Sequence, residues 1–108
     1  MKIIIIGCGK VGYALAEGLT DENHDVTIID SSAERLQGVT EELDAMQIVG
    51  NGSSINTLME AGIADTDLLI AVTGSDELNL LCCLIAKKQW DCHTIARVRN
   101  PIYNKEID

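Results

Sequence analysis

The chain has 108 residues, 46% hydrophobic and 23% charged, with a formal net charge of −9 at pH 7. This is the composition of a globular chain long enough for one core, and it excludes a disordered segment. Eight basic residues lie scattered among seventeen acids, which excludes the clustered Lys and Arg that hold nucleic-acid backbones or anionic lipid.

Lys2–Ile6 (KIIII) is a β-branched run ending in glycine and predicts a buried strand. Residues 11–19 place Val11, Ala14, Leu15, Gly18 and Leu19 at helical spacing. Asp25–Asp30 (DVTIID) predicts a second strand, and Ser31 or Ser32 is a candidate N-cap for a helix through Arg35, Leu36, Val39 and Leu43. Residues 45–49 predict a short third strand. After Gly50-Asn51-Gly52, a helix starting at Ser53 or Ser54 carries Ile55, Leu58 and Met59 and stops at Gly62. Residues 67–72 (DLLIAV) predict a fourth strand, Ser75 caps a long helix over Asp76–Gln89, and residues 93–98 predict a fifth strand. Pro101 suits the first turn of a further helix.

Short strands alternating with helices imply right-handed βαβ units. The expected fold is α/β, a Rossmann-like doubly wound parallel sheet with strand order 3-2-1-4-5. One domain over 1–108 is expected, truncated before a sixth strand and therefore a fragment of a longer chain. The longest apolar runs, 3–6, 68–72 and 80–86, fall short of the ~20 residues that span a bilayer, so no direct membrane insertion is expected. The N-terminal apolar stretch is broken by glycines and Lys10 before a signal-peptide core is complete. Cys8, Cys82, Cys83 and Cys92 show no C-x-x-C and no disulfide-framework spacing, and read as reduced thiols of a cytoplasmic protein.

Gly7-Cys8-Gly9-Lys10-Val11-Gly12 is G-x-G-x-x-G. The hexapeptide alone is a weak signal, but here it follows a predicted strand and opens a predicted helix. An acid, Asp30, closes the next strand eighteen residues after Gly12. Together these make the dinucleotide-binding pattern. Gly7 would allow the tight turn, Gly9 the approach of a pyrophosphate, and Gly12 close helix–strand packing. The phosphates would sit on free N–H groups at the helix start, with Lys10 beside them. Asp30 would accept from a ribose diol and repel a 2′-phosphate, favouring NAD(H) over NADP. Arg35 is the one nearby base that could rescue NADP; a solvated helix residue is its more ordinary role. The bland reading of the loop is a βα turn with no ligand.

Two further loops, Asn51-Gly52-Ser53 and Thr73-Gly74-Ser75, end strands on the same rim, where ligands of doubly wound sheets bind. Asn51 could meet an adenine edge, and Thr73 and Gly74 could border ribose and phosphates. Alternatively Ser53 and Ser75 merely cap helices. No catalytic set accompanies these loops. His24 and His93 are expected at the opposite end of the sheet, and Tyr13 and Tyr103 form no Tyr-x-x-x-Lys pair. Neither catalytic nor metal-ligating residues are therefore expected. Residues 80–86 are apolar around the whole circumference of the long helix. Its outer side is covered either by the helix starting at Pro101 or by a second copy of the chain.

The stretches IIIIGCGKVGYALAEGL, HDVTIID, VGNGS, LMEAGIADTDLLIAVTGSDELNLLCCLIAK and IARVRNPIY resemble the N-terminal nucleotide-binding domain of the Trk-type potassium uptake regulators (TrkA-N, RCK or KTN). The resemblance covers essentially the whole chain. It implies a cytoplasmic regulator, peripheral at the inner face of the cell membrane, that binds NAD(H), or ATP, ADP or AMP, and gates a potassium transporter or channel as part of a ring of such domains. By position it places pyrophosphate on Gly7, Cys8, Gly9, Lys10, Val11 and Gly12, the ribose on Asp30 and adenine beside Asn51, with Ser31, Gly52 and Ser53 as further cofactor-binding residues. Thr73 and Gly74 would line the remainder, and Arg97 would reach phosphates or the adjoining ribose. Many relatives carry an acid where Asn51 stands, and the Gly-x-Gly-Ser variant leans towards NAD(H). Ile102 also stands where an acid is frequent. Two rival readings are an NAD-dependent oxidoreductase whose catalytic domain is absent, and a scaffold that has lost nucleotide binding.

Overall fold

A computed structural model describes residues 1–40 and 42–103. In chain order the elements are β1 (Lys2–Ile6), α1 (Lys10–Asp21), β2 (Asp25–Asp30), α2 (Ala33–Thr40) and β3 (Met46–Val49). Then follow α3 (Ile55–Glu60), a 3₁₀ turn (Ile63–Asp65), β4 (Leu68–Ala71), α4 (Asp76–Gln89) and β5 (His93–Ala96). The strands form one sheet in the order β3-β2-β1-β4-β5, and every pairing is parallel. The expected order is thus observed. Ile6 lies level with Ile29 and with Ala71, and Asp30 with Val49, so the carboxyl ends of four strands form one rim.

Alternation along β1 shows why these strands read as unbroken apolar runs. Ile3 and Ile5 pack on one face with Ala16 of α1 and Leu36 and Val39 of α2, while Ile4 and Ile6 pack on the other with Leu58, Cys82 and Ala86. Both faces are covered, so no polar alternation can survive. Each such isoleucine contributes ~1.5–3 kcal/mol by leaving water.

Helix ends follow local chemistry. Ser54 caps α3 through the Thr57 N–H (3.4 Å), and Ser75 caps α4 through the Leu78 N–H (3.1 Å). Asp76 and Glu77 in the first turn of α4 and Lys87 and Lys88 in its last complement the helix dipole. Ser32, not Ser31, receives the Arg35 N–H at 3.3 Å.

Several boundaries differ from expectation, β3 by one residue at its start and β4 by one at each end. The α2 helix ends at Thr40; Leu43, expected within it, lies beyond and still packs on the α1–α2 side of the core. Strand β5 ends at Ala96 rather than at residue 98. One further ladder bond runs from Arg97 N–H to Ala71 O (2.9 Å), and then Asp76 draws the Arg99 and Asn100 N–H groups away at 3.0 and 2.8 Å. The 3₁₀ turn after Gly62 was not foreseen; Gly62 sits at φ +84°, a left-handed conformation that glycine adopts without strain. Residues 101–103 form a helical turn, and the rest of the helix expected from Pro101 lies outside the described residues. On α4, Leu81 and Leu84 remain 45% and 64% exposed, so the described residues leave its outer side open. No described helix is long and apolar enough to cross a membrane.

Candidate functional site

A crevice of about 420 Å³ opens on the rim formed by the strands' carboxyl ends. Ile6 and Ile29 form its apolar base, and Gly7, Asp30, Ser31, Asn51, Gly52, Thr73 and Gly74 from the expected set line its walls. Arg35, Gly50, Ser75 and Leu78 join them. The volume suits a drug-sized ligand.

The glycine loop is built by contact. Gly7 has φ +108°, and a Cβ there would lie 2.9 Å from Thr73 N; a Cβ on Gly12 would lie 1.9 Å from Gly7 O. Both positions therefore require glycine. A Cβ on Gly9 would meet nothing within 4 Å, so the space beside the loop is open there. Gly9 is the N-cap of α1, no side chain caps this helix, and no acid occupies its first turn. Tyr13 N–H makes the first bond, to Gly9 O at 2.9 Å, leaving the preceding amides of the first turn for water or an anion.

Asp30 is 5% exposed at the end of β2. Its Oδ2 accepts the Cys8 N–H and its Oδ1 the Ser32 N–H, each at 2.7 Å. Each oxygen keeps lone-pair capacity for a hydroxyl donor. The Cys8 bond corrects one expectation: this amide, expected to face phosphate, is committed to Asp30. The Cys8 side chain is buried, and burial with the neighbouring Asp30 charge pushes its thiol pKa up. Burial also raises Cys82 to about 12 and Cys83 to about 11. These thiols are protonated at neutral pH and poorly nucleophilic.

On the second wall, the Asn51 Oδ1 accepts from Ser53 N–H (2.9 Å) and Ser53 Oγ (2.7 Å). This turns Ser53 inward as a brace, and Ser53 does not line the crevice. Gly52 is close-packed: a Cβ would lie 2.4 Å from Ile6 Cγ2. On the third wall, Thr73 gives both its N–H (2.8 Å) and its Oγ1 proton (2.6 Å) to Asn79 Oδ1, so it borders the crevice with its donors already used. Asn79 is fully buried, and its Nδ2 donates to Thr73 O (3.2 Å) and Arg97 O (2.9 Å).

The remaining members of the expected set, Cys8, Gly9, Lys10, Val11, Gly12 and Arg97, do not line the crevice. Five of these belong to the loop and first turn of α1. Arg97 follows β5, an edge strand separated from β1 by β4. Its backbone is tied to Ala71 and Asn79. Arg35 moves the other way. It is 60% exposed, as a solvated helix residue should be, yet its Nη1 lies 3.6 Å from Asp30 Oδ2 on the crevice wall. Sequence reasoning also missed Asn79 and Asp76. The signal for Asn79 was present as the one amide inside an otherwise apolar helical run. His24 precedes β2 and His93 begins β5, so both stand at the far end of the sheet. No group of three His, Cys, Asp or Glu suited to a metal occurs among the described residues.

A profile of the TrkA-N domain matches residues 3–108. The Trk system potassium uptake protein TrkA of Haemophilus influenzae is 44% identical over 109 aligned positions, covering 100% of this chain and 24% of that protein. The chain thus spans about a quarter of that relative's length. Among solved structures, the GsuK channel bound to NAD matches with a TM-score of 0.86 at 21% identity, over 98% of this chain and 19% of that one. The Kef CTD of Shewanella denitrificans in AMP-bound form matches at 0.83 and 20% identity, over 98% and 64%. At such identities the two structures speak for a common fold. The profile match and the TrkA identity go further: the chain belongs to the TrkA-N domain family.

Proposed function

We propose that this chain is the nucleotide-sensing lobe of a potassium-transport regulator, acting at the inner face of the cell membrane through a transporter or channel partner. NAD(H) is the first candidate ligand, with ATP, ADP or AMP as alternatives that share its adenosine and phosphates. The ribose diol would bond Asp30, the diphosphate would lie along the Gly9–Val11 amides with Lys10 nearby, and adenine would sit between Asn51-Gly52 and Ser31. Thr73 and Gly74 would close the third side. A channel bound to NAD and sharing this fold supports this reading, as does a relative named for potassium uptake.

One observation carries it. A buried carboxylate held by two backbone amides stands on the crevice wall beside an uncapped helix start. Asp30 and Arg35 are the ionisable side chains lining that crevice, an arrangement suited to gripping a sugar rather than passing a proton. This favours sensing over the oxidoreductase alternative, which turnover of a nicotinamide substrate by the full-length protein would support instead. Exposed Leu81 and Leu84 on α4 suit contact with a second copy, through which lobes would share the work of gating. A ligand moves such an equilibrium only by differential affinity, and a swing from 1:99 to 99:1 takes ~5.5 kcal/mol.

Thermal melts with NAD, NADH, ATP, ADP and AMP test the proposal. Saturation at about 100 times Kd should stabilise the chain by ~2.7 kcal/mol. Unchanged melting with all five would leave the sensing role without support.

A further inference from the structure

We infer that Arg35 sets the chain's tolerance for a 2′-phosphate, so that NADP(H) is accepted alongside NAD(H). The inference rests on the proposed seating of ribose against Asp30. A carboxylate in that position normally rejects a 2′-phosphate by charge repulsion, because the two anions would meet with nothing between them.

Here the acid has a basic neighbour. Arg35 Nη1 lies 3.6 Å from Asp30 Oδ2, near enough for charge attraction and too far for a hydrogen bond. The side chain is 60% exposed, so its guanidinium fork is not committed to a two-pronged grip on the acid. The hydrogen-bonding needs of Asp30 are met instead by the Cys8 and Ser32 amides, which leaves Arg35 free to change partner without stranding the carboxylate. Exposed Ser31 lines the same crevice and offers a further hydroxyl there. A phosphate on the 2′-oxygen of a ribose bonded to Asp30 would emerge next to Arg35. Guanidinium binds phosphate through two parallel charge-assisted bonds. The arginine therefore exchanges a loose ion pair for a tighter one, offsetting the repulsion from Asp30.

Isothermal titration of the chain with NAD and NADP, before and after Arg35→Gln, is the test. The ratio Kd(NADP)/Kd(NAD) should stay below about ten in the native chain and rise tenfold or more in the variant, equivalent to ~1.4 kcal/mol. The ratio is read at each variant's own NAD affinity, and Arg35→Lys should restore part of the NADP affinity through its remaining charge. A smaller rise in the ratio, equal weakening of both nucleotides, or native rejection of NADP by more than about a hundredfold overturns the role of Arg35 while leaving NAD binding intact. Failure of both nucleotides to bind the native chain overturns the crevice reading and this inference with it.

Discussion

Asp30 does two jobs that a single substitution would confuse. It is the group proposed to read a sugar, and it is the acceptor for the Cys8 and Ser32 amides at 2.7 Å. Removing the carboxylate strands these two donors, at about 1–3 kcal/mol for each that stays buried. Asp30→Ala should therefore melt earlier without ligand and also lose its response to NAD. Asp30→Asn retains one acceptor oxygen and should recover part of the unliganded stability while its NAD response stays weak. Calorimetric melts of each variant with and without NAD separate the effects; a full NAD shift in Asp30→Ala would remove Asp30 from the ribose. Such double duty is invisible in sequence. The spacing from Gly12 marks Asp30 as a ligand group, but the Cys8 bond depends on how the first loop folds back over β2. The same limit applies to Arg35, whose approach to the acid follows from the start of α2 at Ala33.

At the scale of elements, the join between the β4–α4 loop and the exit from β5 is the part that pattern reading could not supply. Asn79 ties Thr73 to Arg97, Asp76 takes the Arg99 and Asn100 N–H groups, and Arg99 Nη2 donates to Gly74 O at 2.6 Å. Those two amide bonds hold the Asp76 carboxyl below the usual carboxylate range, with the Arg99 charge assisting. A depressed folded-state pKa gives stability that is present above the unfolded value of ~3.9 and is lost as pH falls through the folded value. Melting temperatures from pH 6 down to pH 2.5 should thus fall more steeply for the native chain than for Asp76→Asn. Parallel curves would show that the clasp does not contribute. By contrast, β1, β2 and α4 are legible nearly to the residue, because both faces of a parallel strand demand apolar residues and because Ser75 marks the start of α4. Strand β5 is shorter than its pattern: Val98 continues the apolar alternation, but tertiary bonds to Asp76 outcompete the edge ladder. The α2 helix was overextended for a similar reason, since Leu43 reaches the core without being helical.

For the whole molecule, topology concentrates the candidate site at one end. All five strands run the same way, so the glycine loop, Asp30, Asn51 and Thr73 converge from four βα turns onto one rim, while both histidines fall at the other. This convergence was predictable from the βαβ rhythm alone, whereas the commitment of the Thr73 donors to Asn79 was not, because it joins residues across two elements. A second depression, bordered by Thr20, His24, Asp25 and Met46, lies at the opposite end of the sheet and provides an internal control. Titration of NADH into the isotope-labelled chain, followed through backbone amide resonances, therefore tests the central claim most directly. The account predicts shifts at Gly9, Lys10, Val11, Ser31, Asn51, Gly52 and Gly74, with His24, Asp25 and Met46 unmoved; shifts confined to the far end, or none at saturating NADH, would contradict it.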